Sequence, residues 1–457
     1  MATGRESSKK RNTQLLLCAM SVVLSACRPV PAAPAANPSR VEFTDATLEA
    51  HLSTGRPTVI LTWSPTMPLS VRSLSEMDQL CRARGWEFVP LVPPAEWPQE
   101  PTAGPLRKWF ERSQVLRSEA MAGLGVTLHL PSIVVVRGRV RGTVPGYHPR
   151  GMTQTFIEGM FDEPIGRPVA SPALTEGEVV IERSIPLVRE VGAYFKPVPP
   201  RSQVVFASVD GSGNYLLDLD TMEERRIPGS FDPVPTPDGR FLTVPGLAFY
   251  RLSDGHDVSK PVLSDPEMPD DYQTIGILNQ NDSETAYRVM TSWRQGVHTR
   301  DYVWQEKDQH FMKGPIVHVC PERMLSLPML APDGRHFAAF DVRGGTTRLF
   351  SLAGTSCEEA LDLGFATGKV AFSPSGNRLA FQVTTVTPQA PEQAYGHQAA
   401  VWDLKSHRVL RLSATESATF FFPVFLDEET LVLLSRSTAG GPAKLQVVRP
   451  VSLNRVE

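Results

Sequence analysis

Thiol chemistry is the first possibility raised by the side chains of this 457-residue chain, because its five cysteines fall in sharply different contexts. Cys27 closes the small-residue stretch Leu24-Ser25-Ala26, after the basic run Lys9-Lys10-Arg11 and the apolar run Leu15 to Leu24. That order of basic, apolar and small residues is a secretory signal. Cys81 follows Met77 and Leu80 at helical spacing and reads as a core cysteine. Cys320 and Cys357 precede consecutive copies of a repeated turn, and an oxidising compartment permits a disulfide between them.

Other chemistry finds little support. No Gly-x-Ser-x-Gly elbow is present. The histidines form no pair at metal-ligand spacing. Asp210-Gly-Ser-Gly-Asn214 has the oxygen spacing of a calcium loop, but its twelfth position is Thr221 and not a bidentate glutamate. Gly364 to Lys369 is one residue short of a phosphate loop and leads into a strand, so it reads as a turn. The acidic stretch Asp265 to Asp271 reads as a solvated insertion. No metal or other cofactor is expected.

Composition agrees with an ordinary globular chain: 41% apolar residues, 21% charged residues and a net charge of −3 leave no reason to expect disorder or a nucleic-acid partner. Leu24-Ser25-Ala26-Cys27 resembles the lipobox of bacterial lipoproteins, whose signal peptidase cuts before the cysteine once its thiol carries diacylglycerol. The resemblance implies a signal peptide over residues 1–26, a mature N-terminus at an acylated Cys27 and a place in the bacterial envelope. An apolar run this short does not span a bilayer as a ~20-residue helix. No later segment offers 18 uninterrupted apolar residues, so the lipid is expected to be the sole anchor. Residues 27–40 alternate proline and alanine, with almost nothing to bury, and read as an extended tether. By enterobacterial sorting rules, Arg28 in place of aspartate after the lipidated cysteine implies the outer membrane.

Residues 41–165 alternate helical and strand patterns. Helices are expected near Thr44 to Leu52, Val71 to Arg84, Pro105 to Arg117 and Thr153 to Met160. Strands are expected over Pro57 to Trp63, Trp86 to Val92 and Ser132 to Arg137, with a hairpin into Val140 to Val144. The order resembles the thioredoxin fold, most clearly through Gly125 to Val136, with Pro131 opening a strand, followed by Arg139 to Tyr147. The resemblance implies a cis peptide bond at Leu130-Pro131. Periplasmic TlpA-type members carry Trp-Cys-x-x-Cys after the first long strand, whereas this chain reads Trp63-Ser-Pro-Thr-Met67-Pro68-Leu69-Ser70. Met67 and Ser70 fill the two thiol positions, and neither forms a low-pKa thiolate. The groove near Trp63, Met67 and Pro131 is then expected to hold a peptide without oxidising it, or to hold nothing.

Residues 166–200 read as a linker that includes the strand-like Glu178 to Arg189, placed to close a ring by pairing with its last sheet. Over residues 201–457 one phrase recurs: Thr236-Pro-Asp-Gly-Arg, Ala331-Pro-Asp-Gly-Arg and Ser373-Pro-Ser-Gly-Asn-Arg, each leading into an apolar strand. Weaker copies lie at Arg201, Ser283 and Glu428. Successive copies are roughly 40–50 residues apart, the length of one four-stranded blade. The phrase, with the strand endings Leu217-Asp-Leu-Asp220 and Trp402-Asp-Leu404, resembles the repeat of TolB-type propellers and implies six blades.

The expected fold is therefore multi-domain: an α/β thioredoxin-like domain followed by an all-β six-bladed propeller. The expected function is that of an envelope lipoprotein that binds envelope proteins through its propeller, without enzymatic activity. One alternative is a thiol-handling or peroxide-handling enzyme using Cys81 or the Cys320/Cys357 pair; another is a propeller that binds a small molecule or glycan.

Overall fold

The structure, a computed structural model, describes residues 41–98, 104–148, 150–162, 175–189, 191–208, 213–227, 233–244, 248–255, 258, 273–280, 284–293, 296–386, 395–412, 418–437 and 443–451. Cys27, the signal segment and the tether lie outside the described residues, as do Asp210, Asp265 to Asp271 and Ser283.

Six strands, β1 (Glu42–Phe43), β2 (Thr58–Thr62), β3 (Glu87–Val92), β4 (Gln114–Leu116), β5 (Ser132–Val136) and β6 (Val140–Pro145), form one sheet in the order β1-β4-β3-β2-β5-β6. The first four run parallel, while β5 and β6 are antiparallel to their neighbours. Every residue of β2 is buried, as a central strand covered on both faces requires.

Helix α1 (Asp45–Thr54) starts at a capping box between Thr44 and Thr47. Helix α2 (Pro68–Arg84) starts three residues earlier than its apolar period suggests, because Pro68 is well suited to the first turn. The single helix expected over Pro105 to Arg117 is instead a short α3 (Arg107–Arg112) followed by β4. Backbone pairing of Val115 and Arg117 with Val41 and Phe43 draws that segment into the sheet, a tertiary preference that outweighs local propensity. Helices α4 (Glu119–Gly123) and α5 (Arg150–Asp162) complete the unit. Among the described residues no helix is long and apolar enough to cross a membrane.

The remaining strands form six sheets arranged as a closed six-bladed propeller. Their innermost strands are Val191–Pro197, Val234–Pro235, Gln273–Gln280, Leu325–Leu330, Ala371–Phe372 and Ala418–Phe425. Each pair of adjacent blades shares one apolar core, including blade 6 with blade 1, where Val432 and Leu445 pack with Val204 and Phe206. Blade 1 begins at Val191, before the boundary expected at residue 201. The repeated phrase marks the turn between the first and second strands, so the first copy appears one strand late.

Closure involves two strands that precede blade 1. Strand β7 (Thr175–Gly177) runs parallel to Arg408–Leu412 as a fifth strand of blade 5, and β8 (Val179–Pro186) pairs antiparallel with Lys444–Pro450 as the outermost strand of blade 6.

At the tight turn of blade 2, Gly239 has φ +66°, and a Cβ there would lie 2.0 Å from Pro199 O; both the backbone conformation and the close approach of blade 1 demand glycine. Cys320 at the end of blade 3 is disulfide-bonded to Cys357 in the outer strand of blade 4, with a Cα–Cα distance of 5.3 Å.

Candidate functional site

Three places can carry function: the segment from Ser64 to Ser70 after β2, the contact between the two units, and the end of the ring formed by the repeated turns. At the first, β2 and the start of α2 bring Ser64, Thr66, Met67 and Ser70 together. Ser70 is buried, and its Oγ accepts the Ser64 backbone N–H at 2.8 Å. Ser64 Oγ donates to Glu96 Oε2 at 2.9 Å and lies 2.8 Å from Thr66 Oγ1. Hydroxyls, a backbone N–H and one carboxylate therefore satisfy each other around Ser64 and Ser70, and this segment holds no thiol.

Trp63 does not line a groove: it is fully buried, donates Nε1–H to Ser113 Oγ at 3.0 Å and packs on Phe110. Pro131, whose bond to Leu130 is cis, is buried as well. Met67 is half-buried, while Pro68 and Leu69 beside it are exposed. Cys81 lies 1% exposed on the inner face of α2. Burial, with a further contribution from the Asp78 carboxylate, pushes its thiol up to about 12, so at neutral pH it is protonated and inert.

The second place was not legible in the sequence. The core between the sheet and α5 continues without a break into blade 4: Met324, Phe340 and Val342 pack in one cluster with Phe156, Met160 and Val144. A Cβ at Gly142 would stand 2.8 Å from Val342 O, so the two backbones approach as closely as glycine allows.

Around this contact lie two buried histidines, His129 and His148, and the half-buried His397. His148 Nε2 is 2.9 Å from Ser326 Oγ and 3.1 Å from Pro145 O. His397 Nε2 is 3.1 Å from Thr127 Oγ1. Burial lowers the pKa of His148 and His397 to about 4. For His129 burial, followed by Lys369 and the other two histidines, lowers it to about 3, so all three are neutral near pH 7. Ser326 and His148 have the residue types of a nucleophile and its base, but Ser326 is 0% exposed and among the described residues no carboxylate hydrogen-bonds the imidazole. The pair joins two units; it does not meet a substrate.

The third place is the opposite end of the ring. Met324 to Leu327 and Phe340 to Val342 occupy the end of blade 4 away from the turn Ala331 to Arg335, as the pairing of Leu325 with Asp341 requires. The α/β unit thus covers one end, and the Pro-Asp-Gly turns crowd the other. Between them runs a cavity of about 170 Å³ lined by the innermost strands of all six blades. Its walls are chiefly apolar, with Pro199, Pro237, Pro332 and Pro374 at the turns and the side chains of Lys196 and Lys369 as its charged groups. Among the described residues no three His, Cys, Asp or Glu side chains are grouped to hold a metal.

No protein-family model matches the chain, and no curated protein matches it either. Among solved structures, the chain is similar to the β-propeller domain of Cps50 (Swd1) from Myceliophteria thermophila, with 12% identity over 59% of this chain and 99% of that one and a TM-score of 0.37. It is also similar to TolB from Acinetobacter baumannii, with 12% identity over 86% and 95% and a TM-score of 0.31, and to Kuenenia stuttgartiensis hydrazine synthase, with 12% identity over 56% and 80% and a TM-score of 0.34. At such scores these likenesses carry no functional argument, and the propeller stands on the strand order and the six interblade cores of this chain.

Proposed function

We propose that this protein is a lipid-anchored envelope subunit that binds other proteins through the turn end of its propeller, while a thioredoxin-like, thiol-free α/β unit is fixed to the other end. The observation that carries the reading is the shared core at Met324, Phe340 and Val342: it commits one end of the ring to the α/β unit and leaves the repeated turns at the other end as the broad free surface. The thioredoxin-like label is supported by four parallel strands followed by an antiparallel pair, with helices packed on both faces. The Cys320–Cys357 bond fits an oxidising envelope compartment. Arg28 after the lipidated cysteine favours the outer membrane, and three acyl chains there would make release negligible.

A thiol-handling enzyme is the competing reading. Against it stand the protonated, buried Cys81 and the hydroxyl web around Ser70. Insulin reduction by the purified protein should not rise above the uncatalysed rate. Turnover that disappears in Cys81→Ala would establish the enzyme instead. Lipidation has its own test: a metabolic fatty-acid probe should label the wild type and leave Cys27→Ser unlabelled, and a labelled variant would refute the anchor.

A further inference from the structure

Outside the central cavity, at the turn end of blades 1 to 3, a cleft of about 300 Å³ is lined by Arg201, Arg240, Arg251, Trp304, Glu306 and Gln309, among others. Arg201 and Arg240 come from the equivalent turns of blades 1 and 2, which the contact of Gly239 with Pro199 O holds against each other. Three guanidiniums thus line one small space in a chain of net charge −3.

Their existing partners use only part of their donor capacity, since each guanidinium carries five N–H groups. Arg240 Nη2 donates to Glu306 Oε2 at 2.5 Å, and the same oxygen accepts Trp304 Nε1–H at 2.8 Å. Arg251 donates to Asp254 at 3.1 Å and to Gln309 Oε1 at 2.7 Å. The exposed side chain of Arg201 makes no hydrogen bond or ion pair among the described residues. Arg240 is steadied further by lying 5.3 Å over the Phe241 ring. The way Glu306 is held shows which group these donors suit: an oxyanion taken by a guanidinium and an indole N–H together. Those same hydrogen bonds, the indole's first, lower the pKa of Glu306 and keep it charged.

We propose that this cleft is a binding site for a small dianionic oxyanion, a phosphate or dicarboxylate on a compact body, with Arg201 as its principal donor and Arg240 and Arg251 flanking it. A preorganised guanidinium fork matches both planar carboxylate and tetrahedral phosphate oxygens. The site is independent of which protein docks on the propeller.

Calorimetric titration of the full-length lipidated protein in detergent, with inorganic phosphate and with succinate at low ionic strength, tests it. Saturable binding of either anion with one-site stoichiometry is expected, weakened at least tenfold in Arg201→Ala and partly retained in Arg201→Lys. Arg335→Ala, on the exposed turn of blade 4, should bind as the wild type does. Thermal stability unchanged in Arg201→Ala would show that the loss is one of contact and not of folding. Absence of saturable binding for both anions, or equal weakening by Arg201→Ala and Arg335→Ala, would overturn the site.

Discussion

Phe340→Ala is expected to cost about 3–5 kcal/mol and to loosen the α/β unit together with the propeller. Phe340 is a strand residue of blade 4, 4% exposed, and its neighbours in the core include α5 and β6 of the other unit. Truncation therefore opens a cavity that belongs to both. Gly142→Ala should act at the same seam with a cost of about 1–3 kcal/mol, because the added carbon would meet Met160 Sδ at 2.3 Å and Val342 O at 2.8 Å. The methionine can swing aside, but the backbone oxygen cannot. Scanning calorimetry of the wild type should show one transition, and both variants should lower it as a whole. Two resolved transitions, of which only the propeller's responds to Phe340→Ala, would mean that the units are independent.

A chain beginning at Arg201 is expected to lose the folded ring altogether, against one beginning at Thr175 that keeps it. Both lack the α/β unit and both expose Met324 and Phe340, so their difference isolates closure. The shorter chain lacks β8, which pairs along Lys444–Pro450 and buries Ile185, and it lacks the innermost strand of blade 1 with Phe195. Blade 6 then ends on an unpaired edge, and the core shared by blades 6 and 1 opens to water. Removing two strands at one seam is of the order of the whole stability of such a domain, about 5–15 kcal/mol. Equal solubility and equal heat resistance of the two chains would show that the ring closes elsewhere.

The six blades were legible because their turns need particular residues. Proline and glycine in Pro-Asp-Gly meet a backbone demand, seen at Gly239 and at Gly334 with φ +66°, and aspartates such as Asp403 cap the later turns by accepting two backbone N–H groups. The absence of thiols at Met67 and Ser70 could be read directly. What could not be read is the seam between the units. Met324, Phe340 and Val342 obey the same apolar alternation as residues buried between blades, and nothing local marks them as facing another fold. The pairs His148–Ser326 and Thr127–His397 join positions far apart in the chain, so their meeting is a product of tertiary packing. The arginine cleft depends likewise on blades 1, 2 and 3 packing side by side, which brings residues distant in the chain into one space.

Partners are expected to meet the turn end of the ring. A photo-crosslinking residue placed at Arg335 on blade 4 or at Glu429 on blade 6, both exposed at that end, tests it in intact cells. A third probe at Leu69, 43% exposed in the first turn of α2, reports on the α/β unit. Discrete protein adducts from Arg335 or Glu429 and none from Leu69 are predicted. Adducts from Leu69 alone would move partner binding to the α/β unit.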